Sequence, residues 1–212
     1  MTEAQRIAAY ESAIATLWQA DAAHDIGHLR RVWRMARLIA MDEAGADPEI
    51  LLAAAYFHDA VNLPKDSPDR ARASTLSADL AVKVLPDLGF PVAKLPALHH
   101  AIAAHSFSAR IPCETVDARI LQDADRLEAL GAIGLVRMFL VSGALGGAGF
   151  DAVDPMALHR PLDDKAFALD HLEVKLFGLV DTMNTATGRA IATERADWMA
   201  SFRTRLLSEI GA

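Results

Sequence analysis

The chain has 212 residues, 52% of them hydrophobic, and a net charge of −7. This length suits one domain, or one domain with an appended subdomain, around a substantial apolar core. It contains no basic block of the kind found in proteins that bind nucleic-acid polymers, and no apolar run reaches the ~18–20 residues that a membrane span needs. The single cysteine, Cys113, excludes an internal disulfide framework. The sequence therefore predicts a cytoplasmic protein that binds neither a nucleic-acid polymer nor a membrane.

The spacing of apolar residues predicts an all-α fold, because they recur three and four positions apart and strand signals are scarce. A first helix is predicted over 2–18, and Asp25 is placed to cap a second. The apolar face of this second helix contains Leu29, Val32, Met35, Ala36 and Ile39.

Later helix starts are marked by proline and acidic residues. Asp47-Pro48-Glu49 combines a capping residue, a proline in the first turn and an acid near the positive helix end, and this helix is predicted to end near His58-Asp59. Further helices are predicted over about 67–85, 91–105, 164–184 and 187–209, with one more after Pro112. The stretch 142–149, SGALGGAG, is predicted to be a flexible break.

Histidine and aspartate residues on three predicted helices form a candidate metal site. His28 lies in the first turn of its helix, the His58-Asp59 pair ends the next, and Asp123 and Asp125 lie on a later one. Neutral imidazole and carboxylate suit a divalent first-row metal ion. Neighbouring helical residues point ~100° apart, so His58 and Asp59 can bind one ion only beyond their helix end. Asp123 and Asp125 face different sides of their helix, so only one can be a fourth ligand.

The order of these residues resembles that of the HD-domain metal phosphohydrolases, in particular the small stand-alone bacterial members. Matching stretches are HDIGHLRRV at 24–32, AAAYFHDAVNLPKDSPDRARASTLSA at 53–78, AIAAHSFS at 101–108, QDADRLEALGAIGLVRMF at 122–139 and MNTATGRAIATERADWMASF at 183–202. The resemblance implies one all-helical HD domain over 1–212, with a core at about 20–135 and a C-terminal helical extension at about 150–212. It also implies hydrolysis of a phosphoester or phosphoanhydride, and several family members act on nucleotides.

The resemblance further implies a ligand set for one divalent ion, which is Mn, Fe, Co, Ni, Zn or Mg. The family pattern of Ala-Asp followed by a helical turn matches residues 124–127, so Asp125 is the implied ligand and Asp123 a support behind the ligands. The implied set is His28, His58, Asp59 and Asp125. Asp59 can also act as a catalytic group, because it lies where it can accept a proton from a metal-activated water molecule.

A phosphorylated substrate needs cations besides the metal. Lys65 and Arg70 follow the His58-Asp59 doublet, on a segment that either folds over the metal or forms a solvated loop. Arg126 either binds phosphate or pairs with another carboxylate. His105 ends a predicted helix and either lines the pocket or is structural. These four residues are the predicted substrate-binding groups.

The sequence therefore predicts a metal-dependent phosphohydrolase that acts on a nucleotide or another small phosphorylated metabolite. Two other functions use the same fold. A di-iron oxygenase needs extra histidines between the doublet and the last aspartate, which His99, His100 and His105 can provide. A non-catalytic nucleotide sensor would not need a hydrolytic metal centre, so the intact ligand set argues against it.

Overall fold

The computed structural model describes residues 1–17, 26–61, 63 and 69–212. Within this part of the chain the secondary structure is helical, and the only β contact is an isolated bridge between Ala148 and Phe167. The α-helices are α1 (Glu3–Leu17), α2 (Ile26–Ala40), α3 (Pro48–Phe57), α4 (Ala73–Val84), α5 (Leu95–His105), α6 (Val116–Arg126), α7 (Gly131–Ala144) and α8 (Ala186–Ile210). The predicted all-α class is confirmed.

The chain divides into two compact units, Met1–Asp125 and Arg126–Ala212. The first contains α1 to α5 and all but the last residue of α6, and the second contains α7 and α8. The single domain implied by the family resemblance stays a prediction. Among the described residues, no single helix meets the length and hydropathy criteria for a membrane span, although one sharply bent pair, Val116–Ala129 with Gly131–Ala144, meets them together.

The core of the first unit is built around α3. Every residue from 50 to 57 is buried, and α3 contacts α1, α2 and α5. A helix that is apolar on all sides belongs inside a protein. The whole predicted apolar face of α2, from Leu29 to Ile39, is also buried. This core brings the N-terminal end of α2 and the C-terminal end of α3 together, and these ends contain His28 and His58.

The predicted start of α3 is confirmed by its cap. One carboxylate oxygen of Asp47 accepts hydrogen bonds from the backbone N–H groups of Glu49, at 2.9 Å, and Ile50, at 3.4 Å. Pro48 occupies the first helical position, where a missing N–H costs nothing. At the other end, His58 is the C-cap and its N–H donates to the carbonyl of Ala54 at 2.9 Å. The doublet therefore lies at a helix end, as predicted.

Two other boundaries are shifted by a few residues. The predicted start near residue 67 is a 3₁₀ turn over Arg70–Arg72 that leads into α4 at Ala73, while Ser67 and Pro68 lie outside the described residues. α7 continues to Ala144, so the glycine-rich break begins later than residue 142.

The helix predicted over 164–184 is helical over most of its length, but its turns are not α-helical. This stretch consists of a 3₁₀ turn at Ala168–Asp170, a π-helical turn at Leu172–Leu176 and a 3₁₀ helix at Phe177–Thr182. Buried Asp170 accepts two hydrogen bonds from Arg160, at 2.6 and 2.9 Å, and a third from the N–H of Asp163 at 2.7 Å. Because these tertiary contacts satisfy a buried carboxylate, they outweigh the helical preference of the local sequence.

Candidate metal centre

Two histidines and one aspartate converge in the first unit. The Nε2 atoms of His28 and His58 lie 3.2 Å apart, and both side chains are completely buried. The Oδ1 atom of Asp125 lies 3.5 Å from the Nε2 of His28 and 3.7 Å from that of His58. Metal–ligand bonds of ~2.0–2.2 Å place neighbouring ligand atoms ~3 Å apart. The spacing and chemistry of this donor set therefore fit a divalent metal ion.

The end of α3 fixes the proton on His58. Its Nδ1 lies 2.9 Å from the carbonyl oxygen of Ala55. A carbonyl in the last turn of a helix has lost its intrahelical donor and can only accept, so Nδ1 must donate. With the proton of Nδ1 used in this way, the neutral form of the ring, which is the form that binds a metal ion, directs the lone pair of Nε2 to the centre.

Asp59 extends the centre towards a third histidine. Its Oδ2 atom lies 3.6 Å from the Nε2 of His58 and 4.0 Å from that of His28. Its Oδ1 atom lies 3.6 Å from the Nε2 of His105. One carboxylate therefore faces the two buried histidines with one oxygen and His105 with the other.

His105 lies at the end of α5 and makes the same kind of hydrogen bond there as His58 makes at the end of α3. Its Nδ1 donates to the carbonyl oxygen of Ile102 at 2.6 Å, and the side chain is buried. The ring meets that of His58 edge to face, with centroids 4.9 Å apart. His58, Asp59 and His105 thus form a second group of potential metal ligands that shares His58 with the first.

The carboxylates give the centre a strong attraction for positive charge. Burial lowers the pKa of His58, but the negative charges of Asp59 and Asp125 outweigh burial and raise the pKa to about 9. Burial raises the pKa of Asp125, but its interaction with His58, together with the charges of His28 and His105, outweighs burial and lowers it. Metal ions and protons compete for the same ligand atoms, so a centre with this charge also favours a divalent cation.

The geometry of α6 favours Asp125 over Asp123 as a ligand. Asp123 is completely buried and belongs to neither group of potential ligands. Residues two apart on a helix point ~200° apart, so both carboxylates cannot face one ion. The choice of Asp125 agrees with the register implied by the family pattern.

The cations predicted to bind phosphate have varied surroundings. Lys65 lies outside the described residues. Arg70 donates from Nη1 to the carbonyl oxygen of Leu63 at 2.6 Å. Arg126 donates from Nη1 to the carbonyl oxygen of Thr182 at 2.5 Å, a backbone contact that neither sequence interpretation included. The roles of all three in substrate binding stay predictions.

Two of the three extra histidines are engaged elsewhere. The Nε2 atom of His99 lies 2.9 Å from a carboxylate oxygen of Asp79. The Nε2 atom of His100 accepts a hydrogen bond from the N–H of Glu114 at 3.0 Å. His105 is therefore the member of the predicted trio that reaches the centre.

Sequence reasoning missed a polar network beside the centre. Glu11 on α1 pairs with Arg30 on α2 and accepts a hydrogen bond from Tyr56 on α3. These partners lie 19 and 45 residues away along the chain, and no local pattern links them.

Comparison with known proteins identifies the family. The HD domain model matches residues 11–130, which is more than half of the chain, so the chain belongs to the HD domain family. The protein YpgQ of Bacillus subtilis (strain 168) is 31% identical over 99% of this chain and 95% of its own length.

Solved structures extend the similarity over the whole chain. The crystal structure of Bacillus subtilis YpgQ in complex with ADP is 30% identical, with a TM-score of 0.73, and the match covers 95% of this chain and 97% of that one. An HD-superfamily hydrolase from Bacillus thuringiensis is 28% identical, with a TM-score of 0.75, over 100% of both chains. The chain therefore has the fold of an HD-superfamily hydrolase.

Proposed function

We propose that this chain is a divalent-metal-dependent phosphohydrolase whose substrate is a nucleotide or another small phosphorylated metabolite. The observation that supports the proposal most is the convergence of imidazole Nε2 atoms and carboxylate oxygens at helix ends in an HD-family chain. The proposed ligands are His28, His58, Asp59 and Asp125. A divalent ion held by these residues would polarise a phosphoryl oxygen and would make a bound water nucleophilic near neutral pH.

Asp59 and His105 are suited to hold the attacking water molecule. The Oδ1 atom of Asp59 and the Nε2 atom of His105 lie 3.6 Å apart. When the His105 ring is neutral, both atoms accept hydrogen bonds, since its Nδ1 carries the proton and donates it to the carbonyl of Ile102. A molecule held by both must therefore donate, which water does and an ionised phosphate oxygen does not. Asp59 then accepts the proton as the water oxygen bonds to phosphorus and the leaving oxygen departs.

The nucleotide class is supported by a relative. YpgQ of Bacillus subtilis, 30% identical over 95% of this chain, has been crystallised in complex with ADP. A nucleotide offers the phosphoester and phosphoanhydride bonds that a metal-activated water can attack. Nucleotides are therefore the first substrates to test.

The experiment is a hydrolysis screen with product identification. Protein stripped with a chelator is reloaded with Mn²⁺, Co²⁺, Ni²⁺ or Mg²⁺ and offered nucleoside mono-, di- and triphosphates and a chromogenic phosphate monoester. We expect hydrolysis with at least one metal and none after stripping. Phosphorus NMR separates release of phosphate from release of pyrophosphate and so defines the bond cut. Tight nucleotide binding without turnover under every metal would contradict the proposal and favour a sensor.

A di-iron oxygenase is the second candidate, because His58, Asp59 and His105 form a second potential ligand group. Against it, His99 and His100 are engaged elsewhere. We expect one metal ion per chain in the purified protein. Two irons per chain with oxygen consumption would replace the phosphohydrolase proposal with this alternative.

A further inference from the structure

A single carboxylate joins the three helices beside the candidate metal centre. Arg30 on α2 donates from Nε to one oxygen of Glu11 at 2.7 Å and from Nη2 to the other at 2.8 Å. The hydroxyl of Tyr56 on α3 donates to Glu11 at 3.0 Å. Arg30 follows His28 by two residues, and Tyr56 precedes His58 by two. Glu11 therefore links the two helices that present the two closest ligand atoms.

Arg30 and Tyr56 are placed to hold α2 and α3 together on the side away from the candidate metal centre. Residues two apart on a helix point ~200° apart, so Arg30 and Tyr56 leave their helices on the side away from His28 and His58. The paired hydrogen bonds from Arg30 are charge-assisted and set orientation as well as distance. They also lower the pKa of Glu11, against the opposing effect of burial, so the carboxylate is charged at neutral pH.

The helix that presents Glu11 is itself anchored on α3. Tyr10 is buried, and its ring packs 6.2 Å from that of Tyr56 and edge-on at 5.6 Å from that of Phe57. This packing fixes the position of Glu11 along α3. The network therefore combines a buried partner, Tyr56, with an arginine side chain that is 59% exposed.

We infer that Glu11 is a positioning residue for the metal centre, because it holds α2 and α3 at the separation that brings the Nε2 atoms of His28 and His58 to 3.2 Å. The inference rests on the proposed metal centre. Metal ligands must be held within ~0.5 Å and ~10–20° of their productive geometry, so a small rotation of α2 against α3 weakens binding. Loss of Glu11 should therefore change the centre without removing a ligand.

The test compares Glu11→Gln with a matched control. Glu3 also pairs with an arginine of α2, Arg37 at 3.2 Å, and this pair joins α1 to α2 without Tyr56. Metal-free wild type, Glu11→Gln, Tyr56→Phe and Glu3→Gln are titrated with Co²⁺ against a chromophoric chelator, at a temperature where circular dichroism shows each to be folded. The visible spectrum of bound Co²⁺ reports ligand geometry, which a purely stabilising contact would not alter.

We expect Glu11→Gln to bind Co²⁺ about tenfold more weakly and to change the spectrum of the bound ion. This loss of affinity is at the lower end of the ~10–100-fold loss that is typical when a residue supporting a metal ligand is replaced. Tyr56→Phe should show a smaller effect in the same direction, and Glu3→Gln should match wild type within about twofold. Wild-type affinity and spectrum in folded Glu11→Gln would overturn the inference. If Glu11→Gln does not fold, Tyr56→Phe decides by the same criterion. Failure of wild type to bind Co²⁺ would instead overturn the proposed metal centre and this inference with it.

Discussion

His58 is the residue on which the candidate centre depends most, because its Nε2 atom belongs to both groups of potential ligands. Its ring is fixed by a hydrogen bond to Ala55 and packs against His105. Asp59 follows it directly and faces all three histidines. The doublet thus places a potential ligand and the proposed proton acceptor side by side at one helix end.

The assignment of the fourth ligand predicts an asymmetry between two aspartates. Asp125→Asn should weaken Mn²⁺ binding by more than ~100-fold, because it removes a ligand, whereas Asp123→Asn should cost no more than the ~10–100-fold typical of a supporting group. Equilibrium dialysis followed by elemental analysis measures bound metal, with thermal melts as the control for folding. Loss of metal in Asp123→Asn but not in Asp125→Asn would show that the register on α6 is wrong.

At the residue scale, the parts of the centre that follow from helix ends could be predicted from the sequence. His28 and the His58-Asp59 doublet lie at helix ends that proline, acidic residues and apolar spacing mark. The contact between Arg126 and the carbonyl of Thr182 could not be predicted, because the partner lies 56 residues away and is a backbone atom that any residue could offer. Glu11 was missed because its side-chain partners, Arg30 and Tyr56, lie 19 and 45 residues away along the chain.

At the scale of elements, α3 is held at its start by a network of charges. Lys94 lies 2.6 Å from Asp47 and 2.8 Å from Glu49, and Arg6 also pairs with Glu49. Burial raises the pKa of Asp47, but the hydrogen bonds from Lys94 and from two backbone N–H groups outweigh burial and lower it. The capping carboxylate is therefore charged in the folded protein at neutral pH.

Removal of this cap should destabilise the protein in a pH-dependent way. Asp47→Ala should lower the free energy of unfolding by about 0.5–2 kcal/mol at pH 7. A lowered folded-state pKa means that the stabilisation is present above the unfolded-state value of ~3.9 and is lost as the pH falls through the folded-state value. Urea unfolding followed by circular dichroism should therefore show the difference from wild type shrinking between pH 6 and pH 3. Exposed Asp87→Ala is the control, and an equal loss in both variants would contradict the capping role.

Helix period alone was not enough to predict every element. The stretch 164–184 has apolar residues at helical intervals, and Leu169, Leu172, Leu176 and Leu179 are indeed buried. Its backbone nevertheless alternates between 3₁₀ and π turns. This arrangement allows Asp170 to accept hydrogen bonds from Arg160 and from the N–H of Asp163. The pattern identified the buried face correctly but could not distinguish between types of helical turn.

At the scale of the molecule, the candidate centre belongs to one compact unit. His28, His58, Asp59, His105 and Asp125 all lie within Met1–Asp125. A ligand that binds only the folded state stabilises it by ~2.7 kcal/mol at a hundredfold excess over Kd. Metal binding should therefore stabilise the segments that surround the centre.

Hydrogen exchange followed by mass spectrometry tests this localisation. Saturating Mn²⁺ should slow exchange at the end of α3, at the end of α5 and in α6, with little change along α8. His58→Ala should show no such slowing. Protection confined to Arg126–Ala212 would place the metal elsewhere in the molecule.

The most direct test of the metal-dependent phosphohydrolase is a titration of nucleotide hydrolysis against metal equivalents, in wild type and in His58→Ala. Stripped wild type should be inactive, and its rate should rise with added metal and level off at one ion per chain. His58→Ala, which loses a proposed ligand at the C-terminal end of α3, should fold but neither bind the ion nor hydrolyse the substrate. A wild-type rate that does not respond to metal, or a wild-type rate in His58→Ala, would contradict the account.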